Sequence, residues 1–438
     1  MSAPCSTRQR HALTGVAALA AATCVPAASA RAQVYQQLLD SEIPLTTQNG
    51  RNLGVSERPH PELDAQGLPL GGFRAYPDVT AGVGYTSNVL GAEGNARSDG
   101  YVVLRPQLRL VSQWSNHALI ATALYEGYRY FETPQKNRNG YQFDLEGRLD
   151  ISKDAQLYFK ADARREYEDQ SSGNFPANGA GAVGVDVRSV LARASQRLNR
   201  FILTASADHS HFDYNPTVTT TGLTLDLDYR DYSVDRASAR VEYELSPDNA
   251  VFTQFTYKHT TYSLKDLTTD RSGNEWRASV GAIADVTSLL RVAGAVGYFR
   301  RSYDNPTLDH VASVNLDIQA TYYLTPLTTI SGTVTRELEE AAVNGSSGYI
   351  STRGMLRVDH ELLRNLRPYA FISFDQSDFK GIDRTDKRTN GGVGVFYDPN
   401  RYLSLSGEVA YIKRDSSGAL RGPRFDELRT MITLRAKL

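Results

Sequence analysis

The residues of this chain best suited to metal chemistry are two histidines with two neighbouring carboxylates. His209 and His211 stand two positions apart, and Asp208 and Asp213 lie beside them. Side chains two positions apart on a β-strand point to the same side, so both imidazoles could hold one metal ion. The same parity groups them with apolar Leu203. We therefore interpret the histidines as a polar cap on the apolar face of a strand, and we expect no metal site.

Nucleophilic catalysis would need a serine or cysteine within hydrogen-bond reach of a histidine. The chain has 8 histidines, and none forms a Ser–His pair in a recognisable motif. The glycine-rich runs Gly91–Gly94 and Gly179–Gly184 do not join a strand to a helix, so we interpret them as loop tips rather than phosphate-binding loops. We expect no catalytic residue and no cofactor. A barrel-embedded hydrolase or acyltransferase is the least favoured alternative.

The N-terminal residues 1–32 have the features of a cleaved secretory signal peptide. Arg8 and Arg10 form a basic region, and residues 12–25 are mostly small and apolar. Ala28-Ser29-Ala30 and Ala30-Arg31-Ala32 both match a cleavage site, and we prefer cleavage after Ala32. Both cysteines precede that site, so we expect a mature chain without a thiol or disulfide. Residues 33–72 contain 4 prolines and no sustained alternation, and they predict an irregular periplasmic arm.

The composition alone resembles that of a soluble protein. Of 438 residues, 41% are hydrophobic and 22% are charged, with a net charge of −1. The near-neutral charge does not favour nucleic-acid binding. No apolar run reaches the roughly 18 residues that a membrane-crossing helix needs. A membrane β-barrel remains compatible with this composition, because it hides its polar side chains in the lumen.

A period-two alternation of apolar and polar residues runs through most of the chain. In Tyr141–Ile151, Phe143 and Leu145 alternate with Asp144 and Glu146. Such a strand has one apolar and one charged face. Repeated along residues 73–438, the pattern predicts an all-β, transmembrane, antiparallel up-and-down β-barrel. A soluble β-sandwich or propeller is the alternative, and the unequal lengths of the connections speak against it.

The connections predict the number of strands. Eight short ones are expected at Trp114–Asn116, Ser152–Ala155, Leu198–Arg200, Ser246–Asn249, Thr287–Leu290, Thr325–Leu327, Leu362–Asn365 and Asp398–Arg401. Nine longer ones are expected at Asn88–Ser98, Glu132–Asn139, Glu168–Gly184, Asn215–Thr224, Ser263–Ser272, Asp304–Asp309, Glu339–Ser347, Asp378–Lys387 and Asp415–Arg424. Together they predict about 18 strands, with 16 possible, short periplasmic turns and longer extracellular loops.

The polar face of each strand would line the lumen. Charged side chains on this face would set a transverse electric field and hydrogen-bond hydrophilic solutes. The candidate lumen-lining residues are Arg105, Arg109, Asp144, Glu146, Arg148, Asp150, Arg236, Arg240, Glu242, Glu244, Asp317, Arg353, Arg357 and Arg435. We expect the loop Glu168–Gly184 or the arm Gln33–Gly72 to narrow the pore.

Several segments resemble a family of outer-membrane β-barrel porins of Gram-negative bacteria that are often found in exopolysaccharide-associated gene clusters. The segments that carry the resemblance are Glu57–Gly67, Leu70–Pro77, Gly82–Val89, Tyr128–Phe131, Asn139–Tyr141 and Asp150–Asp154. The family typically has an acidic pair before Asn near positions 86–88, whereas this chain has Thr86-Ser87-Asn88. Any role of those carboxylates is therefore absent here.

The resemblance implies an outer-membrane location and participation in polysaccharide export. We accordingly expect an outer-membrane channel, with a non-conducting docking barrel of a secretion complex as the alternative. The expected partners are outer-membrane lipid, the barrel-assembly machinery during biogenesis and periplasmic polysaccharide-export components, without nucleic acid.

Overall fold

The computed structural model describes residues 43–45, 52–176, 178–265 and 269–438. The predicted signal peptide, residues 1–32, lies outside the described residues, as does much of the predicted arm, residues 33–72. None of the described helices is long and apolar enough to cross a membrane.

Eighteen long antiparallel strands form a closed barrel. The barrel strands are β2 (Phe73–Thr86), β3 (Asp99–Ser112), β4 (Ala118–Tyr130), β5 (Arg138–Ser152), β6 (Ala155–Tyr167), β7 (Gly184–Leu198), β8 (Phe201–Tyr214), β11 (Tyr232–Ser246), β12 (Asn249–Tyr262), β13 (Gly273–Asp285), β14 (Leu290–Tyr303), β15 (Val311–Thr325), β16 (Thr328–Glu339), β17 (Gly348–His360), β18 (Leu366–Lys380), β19 (Thr385–Asn400), β20 (Leu403–Ser417) and β21 (Phe425–Lys437). The predicted fold class and strand number are confirmed.

Three short strands and two 3₁₀ turns complete the described structure. The strand β1 (Leu68–Leu70) pairs with β2, and β9 (Thr217–Val218) pairs with β10 (Thr224–Leu225) in a loop. The 3₁₀ turns are Pro134–Lys136 and Asp228–Arg230.

The barrel closes where its first strand pairs with its last. In this pairing Val83 on β2 lies opposite Ile432 on β21, and the ladder is antiparallel. Closure removes the unpaired strand edges, which lipid could not hydrogen-bond. Because side chains alternate between the two faces, one set on each strand points outwards. Phe143 and Leu145 are 56% and 42% exposed on that outer face.

The connections have the predicted alternation of short and long, but some loops have different ends. The strands β18 and β19 extend to Lys380 and from Thr385, so the loop expected at Asp378–Lys387 is only residues 381–384. Asp386 lies on the inner face of β19, where it is buried against Arg384 and Arg414. In sequence, such a run of inward polar residues resembles a loop. Conversely, the connection expected at Asn215–Thr224 extends to residue 231.

Candidate functional site: a chamber inside the barrel

The connection between β6 and β7, residues 168–183, is called the crossing loop, and its described residues, 168–176 and 178–183, fold into the lumen. Asp169 pairs with Arg429 on β21 at 2.7 Å, and the Ser171 hydroxyl accepts a hydrogen bond of 3.0 Å from Arg388 on β19. The Gly173 carbonyl accepts one of 2.8 Å from Arg384. The loop therefore crosses the barrel interior from β6 and β7, which it connects, to the wall formed by β19 and β21.

The far end of the crossing loop meets a second inward loop, residues 340–347. The Asn174 side chain donates to the Glu340 carbonyl at 2.9 Å and accepts from the Ala342 amide at 3.0 Å. The Glu340 carboxylate is held in turn by Arg301 and by the Tyr262 hydroxyl, the latter at 2.9 Å. In strand order, β16 and β17 lie nearly half the circumference away from β6 and β7. The two loops together therefore bridge the barrel near the end that carries the long loops.

An apolar cluster on the inner wall supports the crossing loop. Phe175 of the loop packs with Val185, Phe212 and Tyr232, among others, and all four side chains are buried. The Phe212 and Tyr232 rings stack with centroids 4.5 Å apart. Burial of apolar surface stabilises the inserted position of the loop, since withdrawing it would expose these side chains to water.

The described part of the N-terminal segment lies at the opposite end of the barrel and in the lumen. Asn52 donates to the Ser288 carbonyl at 2.7 Å, the Val55 amide donates to Thr329 at 3.0 Å, and Arg58 pairs with Glu361 at 2.6 Å. These partners lie in or beside the short turns.

Residues 43–45 are placed further inside the lumen. The guanidinium of Arg240 donates to the Ile43 carbonyl at 2.7 Å and to the Pro44 carbonyl at 3.0 Å. Leu45 packs against Phe252 and Ile283 on the inner wall. These three residues thus occupy space along the walls formed by β11 to β14.

Between these inserted segments lies a chamber of about 640 Å³. Residues 43–45 border one part of it, and Gln170, Ser172 and Asn174 of the crossing loop border another. Its walls carry cross-strand ion pairs: Arg236 with Asp208 at 2.9 Å and Lys258 with Glu275 at 2.8 Å. Such pairs offset the cost of placing charges on a partly dehydrated wall.

The tyrosines Tyr101, Tyr128 and Tyr130 also line the chamber. Tyr101 lies 5.6 Å from Tyr128 and 5.1 Å from Tyr130, measured between ring centroids. Tyr101 lies opposite Gly84 on β2, where a Cβ atom would be only 2.2 Å from the tyrosine ring. The glycine therefore makes room for the ring. The result is an aromatic surface beside charged side chains.

Four of the predicted lumen-lining residues border the chamber, namely Arg105, Arg236, Arg240 and Asp317. The others lie outside its lining: Arg109, Asp144, Glu146, Arg148, Asp150, Glu242, Glu244, Arg353, Arg357 and Arg435. Several of these form ion pairs elsewhere on the wall, such as Arg148 with Asp150 at 2.8 Å and Arg435 with Asp78 at 2.8 Å.

Sequence reasoning missed the chamber residues Lys136, Arg138 and Asp169. Lys136 and Arg138 fell in the loop predicted at Glu132–Asn139, whereas β5 begins at Arg138. The inward positions of β5 include Gln142 and Asp144. Extending the same alternation back through Gly140 would have placed Arg138 on the inner face. Asp169 carried no such signal, because its position depends on how a loop folds.

The histidine pair lies on the outer face of the barrel, as its parity predicts. His209 contacts Asp235 at 2.8 Å, and His211 contacts the Ser233 hydroxyl at 2.9 Å. Within the described ranges, no three His, Cys, Asp or Glu side chains come together to hold a metal ion.

The fold and the lumen define a porin-like β-barrel. The family model described as "Putative beta-barrel porin 2" matches residues 60–438, and the chain belongs to that family. It is thus an outer-membrane β-barrel protein of the porin type. A comparison with curated proteins finds no match.

Several solved structures are similar to this chain at low identity. The outer membrane protein opdK from Pseudomonas aeruginosa is 11% identical, with a TM-score of 0.45, over 83% of this chain and 99% of that one. A BenF-like porin from Pseudomonas fluorescens Pf-5 is 10% identical, with a TM-score of 0.47, over 84% and 100%. OccAB4 from Acinetobacter baumannii is 11% identical, with a TM-score of 0.44, over 83% and 98%.

Proposed function

We propose that the protein is a narrow channel that passes small hydrophilic solutes through the chamber. The observation that carries this proposal is the chamber itself, bordered by residues 43–45 and the crossing loop and lined by ion pairs. Barrels of 16–18 strands leave an aqueous interior unless inserted segments fill it. Here two inserted segments narrow the interior but leave a polar cavity. Solutes of modest size would exchange their water for hydrogen bonds with the wall.

Participation in exopolysaccharide export is a second proposal. The resemblance noted from the sequence suggests it, and the tyrosine surface of the chamber supports it, because sugar rings can pack on aromatic faces. A polymer would need a continuous path, so both the crossing loop and the arm would have to move. The outer-membrane location would follow secretion through a cleaved signal peptide, and the periplasmic export components would then be partners on the arm side.

Planar bilayers test the channel proposal. Purified protein whose migration in unboiled SDS gels shows a folded barrel should give single-channel currents that are small for a barrel of this circumference. Boiled protein from the same preparation is the control and should give none. A folded barrel that stays silent at every voltage would contradict the proposal.

Currents that fall when an acidic exopolysaccharide is added on the arm side would support the export proposal. Currents that are unaffected by any polysaccharide, on either side, would count against it.

A further inference from the structure

One guanidinium of the chamber, that of Arg138, stacks on a tyrosine and forms no ion pair with the residues that the structure describes. Arg138 borders the chamber, and its Cζ lies 3.9 Å from the centroid of the Tyr128 ring. Its Nε is buried, and no described residue is its hydrogen-bond partner. Nearby Glu126 is taken by Arg105. Among the described residues Arg138 therefore has an aromatic contact but no ion pair.

This arrangement differs from that of two other arginines that border the chamber. Arg164 pairs with Glu166 at 2.7 Å, and Arg236 pairs with Asp208 at 2.9 Å. The charge of Glu126 acts on Arg138 from a distance, but this carboxylate is paired with Arg105. A bound anion would give the guanidinium a hydrogen-bonded counter-charge of its own. Stacking on Tyr128 uses the face of the guanidinium and leaves its edge to donate two parallel hydrogen bonds.

A lysine beside Arg138 adds to the positive potential at this place when it is protonated. Lys136 lies two residues earlier, and its ammonium donates to the Gln170 side chain and to the Gly181 carbonyl, the latter at 3.3 Å. Lys136 forms no ion pair with a carboxylate of the described residues. Burial lowers the pKa of Lys136 to about 7, and the charge of Arg138 contributes to this shift.

The surrounding tyrosines determine the shape of the ligand that fits. The rings of Tyr101, Tyr128 and Tyr130 stand next to Arg138 on the chamber wall. Flat apolar groups pack well against such rings. A planar carboxylate can accept the two hydrogen bonds that the edge of a guanidinium offers.

We propose that Arg138 is an anion-binding residue of the channel, which takes the carboxylate of a small planar organic acid beside the tyrosines. This inference rests on the proposed function, because the acid must enter the chamber to reach Arg138. It adds a solute class to that function: organic monoacids are preferred over neutral solutes of the same shape.

Solute flux into liposomes that contain the full-length protein tests this inference. Benzoate and its neutral analogue benzamide are the probes. Wild type should pass benzoate faster than benzamide. R138Q should lose about tenfold in benzoate flux, which corresponds to one charge-assisted hydrogen-bonded contact, while benzamide flux stays near wild type. R138K keeps the charge but loses the two-pronged geometry, and it should lie between the two.

The control is R188Q. Arg188 is exposed on the outer face of the barrel, on β7, so its replacement should leave both fluxes unchanged. Heat-modifiable migration in SDS gels verifies that each variant is folded. Equal benzoate and benzamide fluxes in wild type, or an unchanged benzoate flux in R138Q, would overturn the inference. Neither result would contradict the channel proposal. If neither probe enters through wild type, the channel proposal itself fails.

Discussion

Asp169 and Arg429 form an ion pair at 2.7 Å between the crossing loop and β21, although 260 residues separate them in sequence. Burial alone would raise the pKa of Asp169, but the charges of Arg429 and Arg388 more than offset it, so the pKa lies below its usual value. The carboxylate therefore stays charged at neutral pH. The ion pair holds the crossing loop inside the lumen, and the inserted loop narrows the lumen.

Replacing Asp169 by Asn should loosen the crossing loop. The loss of a charge-assisted contact costs about 2 kcal/mol, which raises the population of withdrawn loops. We expect larger single-channel currents and faster protease cleavage within residues 168–183. The control is Asp154→Asn, because the ion pair of Asp154 with the exposed Lys153 is long, at 3.8 Å. Identical currents for the two variants would show that the loop does not limit the pore.

The inserted position of the crossing loop should depend on pH through Lys136. Burial lowers the pKa of Lys136 from 10.5 to about 7. Between these values the withdrawn state binds more protons than the inserted state, so insertion is favoured as the pH rises through this window. As the pH falls to about 7 that advantage is lost, because Lys136 becomes charged in its buried position.

Hydrogen exchange of residues 168–183 should therefore be faster near pH 6 than near pH 9, after correction for the intrinsic pH dependence of exchange. Lys136→Met should flatten this difference. The matched control, Lys153→Met, changes a lysine whose side chain is 90% exposed in a turn and should preserve it. A pH difference that persists in Lys136→Met would assign the effect to another group.

The N-terminal arm should act as a partial plug. Deleting residues 33–72 removes the segment held by Arg240 and should increase the current through the channel. The docking hypothesis instead predicts an unchanged silent barrel that loses its periplasmic partner in pull-down experiments. The two functions therefore give opposite results in the same deletion.

A single substitution tests the arm attachment more finely. Arg58→Ala breaks an ion pair of 2.6 Å to a buried Glu361, and it should increase current fluctuations. Arg364→Ala breaks a pair at 3.1 Å, but Arg364 is 78% exposed, and exposed pairs contribute little. Equal effects of the two variants would argue against an anchoring role of Arg58.

The outer face should reject charge. Leu145 points outwards from β5 and is 42% exposed. Leu145→Arg should destabilise the barrel in lipid by about 2–4 kcal/mol if the site lies near the bilayer midplane, whereas Leu145→Phe should have a small effect. Urea unfolding in vesicles, followed by gel mobility, measures the difference. Spin labels at Leu145 and Leu316 should report hydrocarbon; contact with water would refute the membrane-facing assignment.

A glycine opposite an aromatic ring should be sensitive to a single methyl group. A Cβ at Gly147 would lie 1.9 Å from Phe159 across the β5–β6 pair, so Gly147→Ala should cost about 1–3 kcal/mol through overpacking. Adding Phe159→Leu should recover part of this loss. The control is Gly354→Ala, where the new methyl group meets nothing within 4 Å. Equal stability of the two single variants in urea would contradict the packing argument.

The period-two alternation determined the fold and the orientation of side chains such as Leu145 and Glu146, and the sequence of short and long connections determined the number of strands. These properties are local, because the direction of a side chain on a strand follows from its position modulo two. Loop ends were harder to predict. In β19 polar residues such as Asp386 face the lumen, and in sequence an inward polar strand resembles a loop.

Only the tertiary structure decided which segments fold inwards and which charges find partners. Asp169 meets Arg429, and Arg240 meets the carbonyl of Pro44, through contacts between residues far apart in the chain. The apolar support of the crossing loop, including Phe212 and Tyr232, also lies on the lumen side. Alternation cannot reveal such contacts, because it gives the face of each residue but not what covers that face. The chamber follows from that long-range packing, as does the position of Arg138 in it without an ion pair to any described residue.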